Sequence, residues 1–440
     1  MSGAGDPTLS GENSKLPARR ILFLQGPLSP LFKLIGECLK SRGHDVFRIN
    51  FCAGDWLHWH GENCTSFKGT VGEWPEFLRE YIRQNEITDL VLHGDQRLYH
   101  RSAIQIALQN DLYVSVTELG ALRPGWMTLE RNGLSTMSHF PSDPELIKKI
   151  AERAEEMDMS PRYPSFFWLQ TAPDVAYNLT NVFLKPLFPH YERHTIYPPL
   201  VEYARGAVRL LQETKRNAIA ERKLAELTSS GARYFVLPLQ LEGDFQLRRH
   251  SPYNSFAEVL ETVFRSLAQD TSPGTHLVLK SHPLDVGFEN WPDVSKKLSE
   301  KYGVGHQVHF LDGGGLAGPF EAASGVVTLN STSGLEALQA RIPVKTLVPA
   351  HYDIAGLTHQ GDLSSFWSNP KKPDPELLNS YIVALAATTQ VRGSIHNKDG
   401  VRVAAKNIAD RISARQLNPL GAFVDPPPRL ERARELGVPL

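Results

Sequence analysis

With 440 residues the chain is longer than one hydrophobic core comfortably fills, so two packed domains are expected. Hydrophobic residues make up 41% and charged residues 22%, an ordinary globular balance. A net charge of −1 excludes a global electrostatic pull on nucleic acid or an anionic membrane, while leaving local patches open. Cys38, Cys52 and Cys64 are too few for a disulfide framework and lack zinc-ligand spacing, which points to a reducing compartment. No apolar run approaches the ~20 residues that a bilayer span needs. The opening MSGAGDPTLSGENSKLP has no hydrophobic stretch of the signal-peptide kind. Residues 1–18 are therefore expected to be a disordered lead, and the protein to be cytoplasmic, with peripheral membrane contact left open.

The first expected strand is Arg20 to Leu24, ending at Gln25-Gly26-Pro27. A helix over Leu31–Ser41 follows, closed by Gly43, and then a strand over His44–Phe51. Strand Asp89–His93, helix Arg101–Gln109 and strand Leu112–Thr117 continue the alternation of a doubly wound α/β sheet. Ligands on such sheets bind beyond the carboxyl ends of the strands, which points to Gln25, Gly94-Asp95 and Glu118-Leu119-Gly120. Asp143 to Asp158 reads as a helix with Pro144 early in it. Residues 161–200 show no clear periodicity.

Residues 201–228 predict one long basic helix, with Val201, Ala204, Val208 and Leu211 at helical spacing. A second series follows: strand Tyr234–Pro238, helix Ser255–Ala268, strand His276–Lys280, strands near Val308–Phe310 and Val326–Leu329, a helix from Gly334 and a strand at Val344–Leu347. The expected fold is α/β, with two Rossmann-like lobes facing a cleft in the GT-B manner. The divisions are a first lobe over 19–200, a linker helix over 201–230, a second lobe over 231–400, and a C-terminal helix and tail over 401–440. The tail either crosses back or stays loose.

Five motifs sit at strand ends. Lys280-Ser281-His282-Pro283 places a histidine where it can bond a leaving phosphate or act as an acid, with a lysine beside it. Taken alone, a histidine there is equally one satisfied by backbone. Asn330-Ser331-Thr332-Ser333-Gly334 opens a helix, where hydroxyls and amide N–H groups make an anion site, although one such hydroxyl is ordinary capping. Glu118 to Pro124 combines a carboxylate with Arg123, which suits a sugar acid or a simple surface ion pair, and Thr128, Glu130 and Gly133 follow. Asp95 and Arg97 follow another strand and could be structural. Gln240 and Asp244 follow the first strand of the second lobe, where Asp244 points into the cleft or lies in a solvated loop. No paired-aspartate metal motif and no Walker sequence occurs, and Gly313-Gly314-Gly315 reads as a loop.

Together Gln25-Gly26-Pro27, Gly54-Asp55-Trp56, Gly94 to Arg97, Glu118 to Pro124, Trp126 to Glu130, Pro238-Leu239-Gln240, Lys280 to Pro283 and Asn330 to Leu338 resemble the capsule polysaccharide synthesis family of the KpsS/LipB type. The resemblance runs in order from about residue 20 to about residue 360. It implies transfer of β-Kdo from CMP-β-Kdo, with retention, to a phosphatidylglycerol or lyso-phosphatidylglycerol acceptor. It implies donor binding by Gln240, Lys280, Ser281, Pro283, Asn330, Ser331, Thr332, Ser333 and Gly334, and acceptor or sugar binding by Gln25, Asp95, Arg97 and Arg123. Catalysis falls to Asp244 as first choice of nucleophile, Glu118 as second, and His282.

One departure is Leu119, where related sequences often carry a second acid, so Glu118 can bind rather than catalyse. No cofactor and no metal are expected, because CMP leaves with a single phosphate that His, Lys and a helix N-terminus can stabilise. The expected partners are the inner face of the inner membrane, a second Kdo transferase and the capsule exporter, with no nucleic acid. The alternatives are another GT-B nucleotide-sugar transferase or epimerase, and a non-catalytic export scaffold.

Overall fold

The computed structural model describes residues 18–193 and 195–440; the expected lead over 1–17 lies outside the described residues. The first lobe is built on strands β1 (Arg20–Phe23), β2 (Asp45–Asn50), β3 (Cys64–Ser66), β4 (Asp89–His93), β5 (Tyr113–Leu119) and β6 (Trp126–Arg131). The second is built on β7 (Arg233–Pro238), β8 (Thr275–Lys280), β9 (Val308–Leu311), β10 (Gly325–Thr328) and β11 (Val344–Thr346). A last short strand, β12 (Gln390–Arg392), belongs to the first sheet.

The sheet orders are β12-β6-β5-β4-β1-β2-β3 and β11-β10-β7-β8-β9. Pairing is parallel from β3 through β5 and throughout the second sheet, while β6 and β12 join antiparallel. Ile21, Leu22 and Phe23 are fully buried, as are Leu90, Val91 and Leu92. Such continuous apolar runs are what helices on both faces of a parallel sheet demand. These are two Rossmann-like lobes in a GT-B-like arrangement.

The chain returns to the first lobe earlier than the 231–400 division predicts. Gln390 pairs with Thr128 and Val391 with Met127. Helix Lys398–Ser413 then lays Val401, Ala404, Ala405, Ile408 and Ile412 into the cluster formed by Leu31, Phe32, Ile35 and Leu39 of helix Leu31–Ser41. A three-residue strand carries no readable periodicity, which hides this crossing in the sequence. Gly393 makes it possible: its φ is +140°, and a Cβ there would lie 2.4 Å from the Ala404 Cβ. The proline-rich tail is not loose either. The buried Arg429 guanidinium donates to the carbonyls of Phe140 and Pro141 at 2.6 and 3.2 Å and to those of Ala350 and His351 at 2.9 and 2.7 Å.

Two further expectations change. Residues 161–200 contain a 17-residue helix, Phe167–Phe183, which runs through Pro173. The single helix over 201–228 is two, Pro199–Leu211 and Glu213–Ser229, divided at Gln212. Its apolar series is not packed: Val201, Ala204, Val208 and Leu211 are all exposed. Part of its basic side turns inward instead. Arg209 and Arg216 reach Asp312 at 2.6 and 3.3 Å, and Arg205 donates to the Gly287 carbonyl.

Candidate active site

The carboxyl ends of β7, β8 and β10 are neighbours in the sheet, so the residues that follow them form one row. Gln240 and Asn330 are buried side by side, the Gln240 amide donating to Asn330 Oδ1 at 3.4 Å. Asn330 in turn donates to the Gln246 carbonyl at 3.2 Å. Ser281 and His282 follow β8 on the other flank.

Three buried side-chain oxygens in this row have no hydrogen-bond partner: Gln240 Oε1, Ser281 Oγ and Ser333 Oγ. Orphaned buried polar atoms cost about 1–3 kcal/mol each. Three of them converging on one sheet edge mark a place where a polar ligand completes the bonding.

Helix Thr332–Gln339 points its N-terminus at the same edge, with Ser331 as its cap accepting from the Ser333 amide at 3.2 Å. Capping therefore uses one of the three hydroxyls, and Thr332 stands half-buried beside it. Gly334 is required for packing, since a Cβ would lie 2.3 Å from Tyr352 Oη, and Tyr352 donates to the Ser331 carbonyl. Close seating of Tyr352 thus fixes the turn that presents the hydroxyls.

His282 Nδ1 accepts from the Leu284 amide at 3.1 Å, which leaves Nε2 as the protonated nitrogen of the neutral ring. Burial, then Lys280 and Arg123, lowers its pKa to about 4. At neutral pH it is a hydrogen-bond donor and not an imidazolium acid. Lys280 is buried, donates to the Ser281 carbonyl at 2.8 Å, and is lowered to about 8 by burial and by Arg216 and Arg209, against the pull of Asp312. Pro283 is exposed on the loop beyond. Arg123 is exposed at the end of its loop, donates to the Gly120 carbonyl at 3.0 Å, and is close enough to His282, Glu336 and Glu118 to shift each of them.

The two carboxylates proposed from sequence approach across the cleft. Asp244 caps the short helix Phe245–Arg248, accepting from the Gln246 amide at 2.9 Å. Burial pushes its pKa up and Glu118 adds to this, while the Gln246 amide, Gln240 and His250 pull it back. Glu118 lies within β5 and not beyond it, because the strand extends to Leu119 to pair with β6. Its side chain keeps 43% of its exposure inside the cleft. Protein around it still raises the carboxyl, with Asp95 adding to the shift and Arg97 and Arg123 opposing it.

Gln25, Asp95 and Arg97 are placed differently. Gln25 lies in a buried network, its amide donating to Tyr177 Oη at 2.7 Å and to Tyr191 Oη and Asp55 Oδ1 at 3.2 Å. This occupies its amide in supporting the end of β1. Arg97 donates to Gln25 Oε1 at 3.3 Å and to the Gly26 carbonyl at 3.1 Å, and it stays near Glu118. Asp95 is buried, accepting from the Leu134 amide at 2.9 Å and facing His250 Nε2 at 3.9 Å.

His250 and its neighbours join the lobes at the floor of the cleft. His250 Nδ1 meets Thr136 Oγ1 at 2.5 Å, and the Gln246 amide donates to Ser135 Oγ at 2.6 Å. His93, also missed from sequence, lies behind Glu118. Its Nε2 is 3.5 Å from Glu118 Oε1 and its Nδ1 is 3.0 Å from Thr117 Oγ1. Burial holds it neutral. The strand-end sequence Leu92-His93-Gly94 carried that signal, whereas Arg248-Arg249-His250 carried none.

The family model described as capsule polysaccharide biosynthesis protein matches residues 88–396. The chain is 30% identical over 384 residues to the capsule polysaccharide export protein KpsS of Escherichia coli, covering 86% of this chain and 96% of that protein. It is 30% identical over 388 residues to the capsule polysaccharide modification protein LipB of Neisseria meningitidis serogroup B, covering 87% and 92%. Among solved structures, KpsC of Thermosulfurimonas dismutans, a beta Kdo 2,7 transferase, aligns over 89% of this chain and 99% of its own with 14% identity and a TM-score of 0.43. On the family match and these relatives, the chain belongs to the capsule polysaccharide biosynthesis family.

Proposed function

We propose that this protein is a glycosyltransferase that moves β-Kdo from CMP-β-Kdo to a phosphatidylglycerol or lyso-phosphatidylglycerol acceptor with retention, starting a capsular linker at the inner face of the inner membrane. The observation that carries the donor assignment is the row of unpartnered Gln240 Oε1, Ser281 Oγ and Ser333 Oγ beside the His282 donor and the helix start at Thr332. A phosphate monoanion attached to a polar nucleoside meets those requirements. The positive side chain of Lys280 and the N–H groups of the helix start supply the stabilising charge, so no metal is required.

Retention fits two displacements. An Asp244 oxygen attacks the anomeric carbon of Kdo as its bond to the CMP phosphate breaks, and the electron pair leaves on that phosphate. The acceptor hydroxyl then attacks the same carbon, the bond to Asp244 breaks, and Glu118 takes the hydroxyl proton. Burial raises the Glu118 carboxyl, which suits it to hold that proton. Arg97 and Arg123, both close to Glu118, are the groups available for the Kdo or acceptor anion. A second Kdo transferase and the capsule exporter are the partners this role implies.

The deciding experiment is product analysis with CMP-β-Kdo and either lipid acceptor, with the anomer assigned by NMR. The expected product is one β-linked Kdo on the lipid and stoichiometric CMP. An α-linked product would remove the two-displacement scheme. Turnover of a uridine-diphosphate sugar in place of CMP-Kdo would remove the donor assignment.

A further inference from the structure

Most of the exposed large apolar side chains among the described residues lie between residues 166 and 211. Helix Phe167–Phe183 carries Trp168 and Phe183, 73% and 74% exposed, at its two ends, with Ala172 and Ala176 exposed between them. These positions recur at helical spacing and make one outward stripe about 22 Å long. No charge interrupts it. The helix has one ionisable acid, Asp174, and Tyr203 of the next helix holds it at 2.8 Å. Helix Pro199–Leu211 adds a second outward stripe of Leu200, Val208 and Leu211, the last 87% exposed.

The platform is continuous with the acceptor side of the cleft. Helix Ala53–His58, which follows β2 at the carboxyl edge of the first sheet, exposes Trp56 and Leu57, and Trp56 packs edge-on against Phe188. Tyr177, on the inner side of helix Phe167–Phe183, bonds Gln25 at the end of β1. The outward stripes therefore stand over the strand ends of the lobe that carries Glu118 and Arg97.

We infer that the paired helices Phe167–Phe183 and Pro199–Leu211 form a lipid-docking platform that rests in the interfacial region of a bilayer and holds the first-lobe side of the cleft against it. Aromatic side chains at both ends of an uncharged helical stripe are suited to that interface. Lys185 and Lys215, which follow the two helices in the chain, are both exposed and available to lipid phosphates. This inference rests on the lipid-acceptor reading above, and it makes no use of Arg209 and Arg216, which are taken by Asp312.

The test is flotation of the full chain with vesicles of phosphatidylcholine and phosphatidylglycerol in a 3:1 ratio (about that proportion suffices to give an anionic surface). Wild type should float, and W168E with F183E should lose at least about tenfold in partitioning, as expected for two removed aromatic anchors. Both positions are solvent-exposed, and an unchanged thermal midpoint confirms the fold. W168F should still float but lose its share of fluorescence quenching by brominated acyl chains. Wild type that stays in solution, or a double glutamate variant that floats equally, overturns the inference. So does a wild-type dimer that the double variant converts to monomer, because the platform would then be a self-association face. Turnover with a short-chain soluble acceptor should be retained by the double variant. Failure of all Kdo transfer with flotation intact would remove the proposed function and leave the platform standing.

Discussion

Replacing His282 with alanine removes the Nε2–H proposed to donate to the leaving phosphate while leaving the strand end intact. The Leu284 amide, now bonded to Nδ1 at 3.1 Å, would turn to water at the edge of the cleft. The stability cost is about 1 kcal/mol. The kinetic cost is larger, because a fixed donor to the charge developing on a leaving phosphate contributes about 10²–10³-fold, or about 2.7–4 kcal/mol. Burial and the neighbouring Lys280 and Arg123 hold the imidazole at about 4, so it is uncharged throughout the working range. The rate should therefore show no limb near the ordinary histidine value. A glutamine side chain at this position would restore an N–H at similar reach, so His282→Gln should recover about tenfold over His282→Ala. The assay is initial-rate CMP release at saturating lipid acceptor from pH 5.5 to 8.5, with thermal unfolding as the control for folding. A folded alanine variant with near-normal kcat/KM would refute the role. An activity limb near pH 6.5 that disappears in His282→Gln would show an imidazolium and refute the neutral-donor argument.

Lys280, lowered to about 8, should lose its proton across the alkaline range, so kcat/KM should fall above about pH 8, and Lys280→Met should give a lower, flatter profile. Glu130 is buried, accepts from Ser138 Oγ, and is pushed up to about 7 from 4.5 chiefly by burial. Between those values the folded state binds more protons than the unfolded one, so stability should drop by about 3 kcal/mol as pH rises from about 4.5 to about 7. Glu130→Gln should flatten that decline in the thermal midpoint, and an unchanged slope would show that the carboxyl ionises freely. Activity should survive EDTA; a loss restored only by added Mg²⁺ or Mn²⁺ would mean that the donor phosphate is handled differently.

The strands are legible in the sequence because fully buried parallel strands read as short apolar runs. Asp89–His93 and Thr275–Lys280 emerge within a residue of their expected bounds. The row at the ends of β7, β8 and β10 is legible for the same reason: sheet topology sends the residues after these strands to one edge whatever the side chains are. Three features escape such reading. Helix Phe167–Phe183 has apolar residues on both its inner and outer sides and a proline inside it, so no polar stripe announces its period. The spacing of Val201, Val208 and Leu211 is helical as expected, but it marks an outward face, since periodicity gives the stripe and not what covers it. His250 reaches Asp95 and Thr136 only because the lobes close on each other, a long-range contact that no local pattern encodes.

Asp244 caps a helix and is the proposed nucleophile, two duties that a single substitution can separate. As the cap of Phe245–Arg248 it accepts one amide hydrogen bond, and asparagine caps as well as aspartate does. As a nucleophile it needs a carboxylate oxygen with a free lone pair, and asparagine has none to offer at comparable reactivity. Asp244→Asn should therefore keep the thermal midpoint within what about 0.5 kcal/mol allows, while Asp244→Ala loses about 1 kcal/mol through the cap. Incubation with CMP-β-Kdo and no acceptor should leave one Kdo on the wild-type chain by intact-mass spectrometry, mapped by peptide digestion to Asp244, and none on Asp244→Asn. The raised carboxyl works in favour of the first step, because burial and repulsion from Glu118 destabilise the Asp244 anion and make it the stronger nucleophile; its departure in the second step is eased once Glu118 has taken the acceptor proton and no longer repels it. An adduct mapped to Glu118 would move the nucleophile to the other lobe. Continued transfer with no adduct on either residue under any trapping condition would instead require attack from the face the phosphate leaves, and would reduce Asp244 to holding the sugar in place.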